Sequence, residues 1–511
     1  WLRCNGPEWT VSRLKQLKTW YIQGFTGEAE TPSWVSYRNS APLGPFRALW
    51  HGTSMKSRAR ALNSLMVYST QVAAVPTEKQ LFKFLTSVEN STPMKSLVDV
   101  FPCEVRLTAS SVKATCATLA DLSVAPTRRC PTINGKTEVE SEVTKWWPLA
   151  VDNGTVRIAS QRFKEVFRDL KEDIFPFTRN MPNWDNIPVI GKISFIQEPG
   201  YKLRAVANPN RIHQLALKPL QRTLLDRLRV MKGDCTFDQG EGVRWVQEQL
   251  KSNKVCYSID LSDATNNFPL ELQMECLRGL LDPSWNQHLD YFEYCSKGPW
   301  YLKVPNQPGR TIRWNKGQPL GLGPSFPAFA ITHHWVVRRC GGSESNYRIL
   351  GDDIVISSDS VAHFYLNALE QMGCPISKDK TIRSERVAEF AGKVIFPDAV
   401  VTPFKWREIS DRSFIDSVRN LGPQFIPHLR PRQRAVAEKM AEIPEEFGGL
   451  GFNPHGKSYQ TRLDENWETI KALESEGSGS SYVKTSDQVF KWRLQLGLTK
   501  HTAFNPNTWG V

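Results

Sequence analysis

Long apolar runs are missing from this chain. Its most hydrophobic stretches are short and broken by proline, histidine or charge, which leaves no candidate for a membrane span or a secretory signal. Zinc-knuckle and redox spacings are missing too. The ten cysteines (Cys4, Cys103, Cys116, Cys130, Cys235, Cys256, Cys276, Cys295, Cys340 and Cys374) include no pair separated by two residues. Scattered in this way, they read as small buried hydrophobes in a reducing compartment. No internal repeat is present, and residues 1 to about 190 mix short helical patterns with proline-containing loops, without a nameable chemistry. The chain opens on Trp1 instead of Met, so its natural N-terminus, with any targeting signal, is expected to lie upstream.

What the chain does have is positive charge. Lys and Arg number 65 against 52 Asp and Glu, a net charge of +13. Such an excess favours a polyanionic partner, because Lys and Arg displace counterions condensed on phosphates. A generally basic, soluble surface is the plainer reading. With 40% hydrophobic and 23% charged residues, the composition is that of an ordinary globular protein. A length of 511 residues exceeds what one compact core absorbs, so roughly two to four subdomains are expected. The 17 tryptophans are read as mostly core material, a few being available to stack on bases.

From Val189 the pattern becomes strand, basic loop, helix. Strands are expected at Val189 to Ile196 and Val255 to Asp260, and a strand–turn–strand unit at Tyr347 to Ser357. Helical spacing marks Gln214 to Val230, Ala330 to Val337 and Val361 to Met372, the last stopped by Gly373. Strands alternating with helices indicate an α/β or α+β core. After Pro403 the chain is helix-rich and basic, with Arg430, Arg432 and Arg434 clustered, and Glu474 to Ser481 reads as a linker.

Two acidic segments carry the chemistry. In Tyr347-Arg348-Ile349-Leu350-Gly351-Asp352-Asp353-Ile354-Val355-Ile356-Ser357, aliphatic strands flank a Gly-Asp-Asp turn. A plain hairpin would explain that segment alone. In Lys254-Val255-Cys256-Tyr257-Ser258-Ile259-Asp260-Leu261-Ser262-Asp263, a second strand ends in a carboxylate. Should the two strands lie side by side, Asp260 and Asp352 meet at one sheet edge. Two hard cations about 3.5–4 Å apart, held by such carboxylates with waters and substrate phosphates, suit in-line phosphoryl transfer. A third segment, Lys316-Gly317-Gln318-Pro319-Leu320-Gly321-Leu322-Gly323-Pro324-Ser325, is a Gly-rich loop opening a helix. Its Gln and Ser can bond sugar or base groups, and a flexible turn before a core helix is the alternative.

In this order, these segments resemble viral RNA-dependent RNA polymerases of the narnavirus, mitovirus and levivirus group. The resemblance covers about Ile193 to Gly456 and is strongest in Glu198-Pro199-Gly200-Tyr201-Lys202-Leu203-Arg204, Leu217-Lys218-Pro219-Leu220, Thr236-Phe237-Asp238-Gln239, Asp260-Leu261-Ser262, Gly317-Gln318-Pro319-Leu320-Gly321, Thr332-His333-His334 and Leu350-Gly351-Asp352-Asp353-Ile354-Val355-Ile356. It implies an α+β right hand of fingers, palm and thumb, with an antiparallel-sheet palm flanked by helices. The N-terminal region and fingers would span 1–250, with a basic triphosphate-binding motif at about 196–220. The palm would span 251–400, with fingers residues inserted at about 280–312, and the thumb and C-terminal region 401–511.

The resemblance also implies roles. Asp260 and Asp352 become metal ligands assisted by Asp353, for two Mg²⁺ or Mn²⁺ ions. Lys202 and Arg204 grip the triphosphate, as fixed cations neutralise charge spreading over phosphate oxygens. Gly317, Gln318 and Ser325 face template or incoming nucleotide. Lys380, in Ile376-Ser377-Lys378-Asp379-Lys380-Thr381, protonates the leaving pyrophosphate, and Glu389-Phe390-Ala391-Gly392-Lys393 supports the priming strand. One departure stands out: where relatives carry an acid that senses the ribose 2′-hydroxyl, this chain has Asn266 followed by Asn267. Asn can donate and accept hydrogen bonds, and Asp263 is an alternative sensor. His333 and His334 point different ways on a helix and are read as packing or hydrogen-bonding groups, not metal ligands.

The expected activity is RNA-directed RNA polymerisation replicating a single-stranded RNA virus genome, with template RNA, product RNA and nucleoside triphosphates as partners and no membrane span. Reverse transcription on the same palm, or a silent basic RNA-binding descendant, are the alternatives. The setting is intracellular in an infected host, in cytoplasm or mitochondrion.

Overall fold

The computed structural model describes residues 1–27, 29–50, 52–95, 101–105, 107–117, 189–209, 211–304, 307–377, 379–406, 414–444, 447 and 449–474. The expected linker from Glu474 to Ser481 and the cysteine at 130 lie almost wholly outside them. Two compact units form, residues 1–65 with 71–403 and residues 66–70 with 404–511.

The first unit opens with a helix, Leu2–Gln23, longer than the short patterns expected there and interrupted at Gly6, whose φ of 77° precedes Pro7. Beyond that break Val11, Leu14, Leu17 and Tyr21 recur at helical spacing and are buried. A two-stranded hairpin follows, β1 (Tyr37–Arg38) and β2 (Ala41–Pro42), then helices Met55–Leu65 and Glu78–Glu89. Thr77 and Gln80 close a reciprocal capping box on the latter, satisfying two otherwise orphaned N–H groups.

Strands β3 (Gly191–Glu198) and β4 (Lys202–Pro209) form a long antiparallel hairpin across Gly200 and Tyr201, both at positive φ. Its sheet is completed by β6 (Trp300–Leu302) and β7 (Arg310–Ile312), in the order β4-β3-β6-β7. The single helix expected from Gln214 to Val230 is instead two, Arg211–Ala216 and Lys218–Arg229. Pro219 has no N–H to donate and disfavours helical geometry at the preceding residue, so it suits the first turn of a new helix, not the middle of an old one.

The central sheet joins β5 (Cys256–Asp260), β8 (Tyr347–Leu350), β9 (Asp353–Ile356) and β10 (Ile382–Ser384) in the order β10-β5-β9-β8, all antiparallel. Both faces are covered. Ile259, Ile354 and Ile356 alternate onto one face and pack against Phe329, Val336 and Val337 of the helix Ser325–Arg339 and Val361, Tyr365 and Leu369 of the helix Asp359–Gln371. Cys256 and Val355 take the opposite face, against Val243, Val246 and Leu250 of the helix Gln239–Lys251. Truncating fully buried Ile354 to Ala would cost about 2–5 kcal/mol. A small sheet, β11 (Ala388–Phe390), β12 (Lys393–Ile395) and β13 (Val400–Val401), adds Phe390 and Ile395 to that second core.

The second unit is helical where described: Phe414–Leu421, Pro431–Met440, Tyr459–Glu465 and Trp467–Glu474, around Phe414, Val418, Val436, Met440 and Ile470. No helix among the described residues is long and apolar enough to cross a membrane. Cys235, Cys256, Cys276, Cys295, Cys340 and Cys374 are unpaired and buried, as small hydrophobes are.

Buried histidines set an acid limit on this fold. Burial pushes His213, His288 and His333 down to about 4, from 6.5 in the unfolded chain. Between those values the unfolded state binds more protons, so folding stability is complete above about pH 6.5 and falls as pH drops toward 4. Asp353, raised to about 7, works in the opposite direction but alone. Urea unfolding at pH 7 and pH 5 is expected to show a lower midpoint at pH 5; equal midpoints would contradict neutral buried histidines.

Candidate active site

The register of β5 against β9 sets Asp260 directly across from Asp353, with Ser258 across from Val355. Residues opposed in an antiparallel pair project to the same face, so these two carboxylates share one. Across β9, Leu350 pairs with Asp353, leaving Gly351 and Asp352 as the two residues of a tight turn. Gly351 takes φ 63°, and a Cβ there would stand 3.1 Å from the Phe326 ring. Asp353 is the cross-strand partner of Asp260, and exposed Asp352 sits in the turn at that same end of the sheet.

Each carboxylate has its own surroundings. Asp260 accepts a hydrogen bond from Lys380 Nζ at 3.0 Å, an ion pair on a partly exposed rim. Asp353 Oδ2 accepts from the Ala391 N–H at 2.9 Å, in the β11–β12 turn. Burial, then the charge of Asp352, pushes Asp353 up to about 7; the Ala391 bond opposes this by less, and the charge of Asp260 adds less still. Among the described residues no three Asp, Glu, His or Cys side chains stand gathered in ligating range. A hard cation such as Mg²⁺ needs fewer, since it keeps waters and takes one or two carboxylates plus substrate phosphates. The donor set at 260, 352 and 353 is all carboxylate oxygen and suits that chemistry.

The Gly-Asp-Asp turn is held from behind. His333, fully buried, has Nδ1 2.8 Å from the Gly351 carbonyl oxygen and Nε2 2.6 Å from the Tyr365 hydroxyl. A carbonyl only accepts, so Nδ1 carries the proton and Tyr365 donates to Nε2. His334 points elsewhere, to the Tyr347 hydroxyl at 2.8 Å and Asp234 Oδ2 at 3.1 Å. Both histidines serve as hydrogen-bonding groups, as expected.

The Gly-rich loop is locked, not loose. Gly317 packs so closely on the short helix Ala264–Asn267 that a Cβ would lie 2.1 Å from the Thr265 carbonyl oxygen, and at Gly321 one would lie 1.9 Å from that of Ala207 in β4. Gln318 is fully buried, its Nε2 donating to Gln273 Oε1 and the Ser325 carbonyl. Buried Ser325 donates to the Pro319 carbonyl. Gln214, which the sequence did not single out, accepts from the Gly323 N–H and donates to the Gly321 carbonyl. In this structure the side chains of Gln318 and Ser325 thus bond within the loop and to the helix Leu270–Leu280.

The asparagines are likewise committed. Asn266 Nδ2 donates to Ser87 Oγ at 2.8 Å, and its Oδ1 accepts from Trp314 Nε1 at 2.9 Å. Asn267 is buried and donates to the Ser262 and Asp263 carbonyls. Asp263 is the outward member, at φ 47° and paired with Lys83 at 3.1 Å. On the β3–β4 hairpin Lys202 is exposed, while Arg204 makes a two-point contact with Glu198, at 2.6 and 3.3 Å, which raises its pKa. Arg204 also lies within electrostatic reach of Asp352.

The central sheet, covered on both faces, thus sets an acidic strand end beside a Gly-Asp-Asp turn. Residues 136–419, more than half of the chain, match the family described as "Mitovirus RNA-dependent RNA polymerase", and the chain belongs to that family. It is 32% identical over 222 residues to the RNA-directed RNA polymerase of Cryphonectria parasitica mitovirus 1, across 41% of this chain and 26% of that protein. It thus spans about a quarter of that relative's length. It is 30% identical over 166 residues to the uncharacterized mitochondrial protein AtMg01410 of Arabidopsis thaliana, covering 30% of this chain and 78% of that one. Among solved structures, it is similar to the RNA-dependent RNA polymerase of a human picobirnavirus at 14% identity and a TM-score of 0.39, over 94% of this chain and 96% of that one.

Replacing His333 with Leu strips partners from the Gly351 carbonyl and the Tyr365 hydroxyl at once. Leaving two buried polar groups unpaired is expected to lower unfolding free energy by about 2–4 kcal/mol in urea titrations. A change within about 0.5 kcal/mol, the range of ordinary surface substitutions, would show that the turn does not lean on this histidine.

Proposed function

We propose that this chain is an RNA-dependent RNA polymerase that extends RNA on a single-stranded RNA template by nucleotidyl transfer. The observation carrying this reading is the β5–β9 register, which opposes Asp260 to Asp353 beside Asp352. Family membership supports RNA copying over reverse transcription, and three intact carboxylates favour an active enzyme over a silent RNA-binding descendant. We assign the central sheet to the palm, the β3–β4 hairpin to the fingers and the described helices after Phe404 to the thumb.

Asp260 and Asp352, assisted by Asp353, would hold two Mg²⁺ or Mn²⁺ ions, which lower the pKa of the attacking 3′-hydroxyl and offset charge on the reacting phosphate when bound. The 3′-oxygen attacks the α-phosphorus, and the bond from that phosphorus to the oxygen bridging to the β-phosphate breaks. Lys202 and Arg204 steady the triphosphate as charge moves onto the departing oxygens. To Lys380, whose Nζ lies 3.0 Å from Asp260 Oδ2, we assign donation of a proton to the leaving pyrophosphate. Gly317 and the loop it anchors fix the floor on which the template base sits. The compartment we assign is the mitochondrion of an infected host, in keeping with the family.

Purified protein is expected to incorporate ribonucleotides on an RNA template only with Mg²⁺ or Mn²⁺. Asp352→Ala should abolish incorporation while RNA binding survives; undiminished incorporation would sink the carboxylate site. RNA affinity should fall steeply with added salt as phosphate-bound counterions are released, and a flat salt response would argue against a charged template channel.

Sugar selection we assign to Asp263. Asn266 and Asn267 spend their side-chain amides on Ser87, Trp314 and nearby carbonyls, whereas Asp263 reaches the surface. Asp263→Ala is expected to reduce the preference for ribonucleotides over deoxyribonucleotides about tenfold, the value of one lost hydrogen bond to a charged group. An equal or larger loss in Asn266→Ala would move the sensor to Asn266.

A further inference from the structure

The N-terminal helix reaches three of the segments that border the carboxylates. Lys15 Nζ donates to the Gly200 carbonyl at 2.6 Å, at the tip of the β3–β4 hairpin just before Lys202. One turn further along the helix, Lys18 pairs with Glu389 of β11 at 2.9 Å. Gln23 Nε2 donates to the Asp379 carbonyl at 3.2 Å, next to Lys380. The helix is thereby pinned across the hairpin tip, the β11 strand and the Lys380 loop.

These contacts collect ammonium groups. Lys380 stands on Asp260, Lys83 on Asp263, and Lys202 is exposed at the hairpin tip held by Lys15. Burial, then repulsion from Lys380, Lys202 and Lys83 in that order, pushes Lys15 down to about 8. Lys15 thus feels three like charges from three separate segments, and a polyanion seated beside it and exposed Lys202 relieves that repulsion.

We propose that Lys15 is a substrate-binding residue which, with Lys202, Lys380 and Lys83, forms a cation cluster for a polyphosphate. The bound anion is either the triphosphate of the incoming nucleotide or the pyrophosphate that departs. This deepens the polymerase reading and rests on it for the identity of the ligand, while the cluster itself rests on the contacts above. The N-terminal helix thereby acquires a function of its own, adding a charge to the nucleotide site and fixing the hairpin tip that carries Lys202.

The test is binding of inorganic tripolyphosphate and of pyrophosphate to the full chain by calorimetry, beside steady-state incorporation, for the wild type, Lys15→Gln and Lys15→Arg. Gln keeps a donor for the Gly200 carbonyl and removes the charge; Arg restores the charge. Affinity for tripolyphosphate is expected to drop about tenfold in Lys15→Gln, the value of one charge-assisted contact, and to recover in Lys15→Arg. A raised KM for nucleoside triphosphate with kcat kept would place the contact on the substrate, and weaker product inhibition by pyrophosphate with KM kept would place it on the leaving group. Equal tripolyphosphate affinity in wild type and Lys15→Gln would overturn the proposal. Because this binding needs no turnover, tight tripolyphosphate binding in a protein that incorporates nothing would count against the polymerase reading alone.

Discussion

The structure depends on holding three carboxylates together against their own repulsion. Asp260, Asp352 and Asp353 occupy one end of the central sheet because backbone register puts them there, and register is fixed by which face of each strand is apolar. Slipping β9 by one residue would turn Ile354 and Ile356 out of a core in which both are fully buried. The cost of that slip exceeds the cost of crowding the acids, so the hydrophobic pattern enforces an arrangement that electrostatics alone would disperse. The raised pKa of Asp353 records its burial first and the neighbouring charge of Asp352 second. Lys380, Lys83 and Arg204 each stand at or near one of these acids or its neighbours. Opposite charges in this arrangement suit a ligand that carries both phosphates and cations.

Around that centre the protein is stiff where chemistry needs position. His333 fixes the Gly351 carbonyl from a helix buried on both sides, and its single permitted tautomer makes the support directional. Gln214, Gln318 and Ser325 close the Gly-rich loop onto the Arg211–Ala216 helix and the start of the Ser325–Arg339 helix, so the loop has little freedom despite its glycines. Here glycine is used for close approach: backbone oxygens of Thr265 and Ala207 occupy the space a side chain would need.

Much of this was legible in the sequence, for physical reasons. The β8–β9 hairpin announced itself through aliphatic strands around a Gly-Asp turn, and β5 through its alternation ending at Asp260. Local periodicity and turn chemistry are enough for elements of that kind. The register that sets Asp353 directly across from Asp260 was not legible, because only the ladder between the strands reveals it. Pro219 gave a break that helical spacing masked. Gln318, Ser325 and Asn266 make hydrogen bonds within the chain that their sequence context did not announce, since a polar residue looks the same in sequence whether its partner is substrate or protein. Lys15 was silent for a further reason: its partner Gly200 lies 185 residues away. Contacts of such range leave no local pattern to read.

At the centre stands joint binding of cations by these carboxylates and a nucleotide. Mn²⁺ binding followed by electron paramagnetic resonance, with and without a non-hydrolysable ribonucleoside triphosphate, tests it most directly. The wild type is expected to bind Mn²⁺ more strongly when the triphosphate is present, and Asp260→Asn and Asp352→Asn are each expected to lose that binding. Binding of equal strength in all three proteins would contradict a shared carboxylate site.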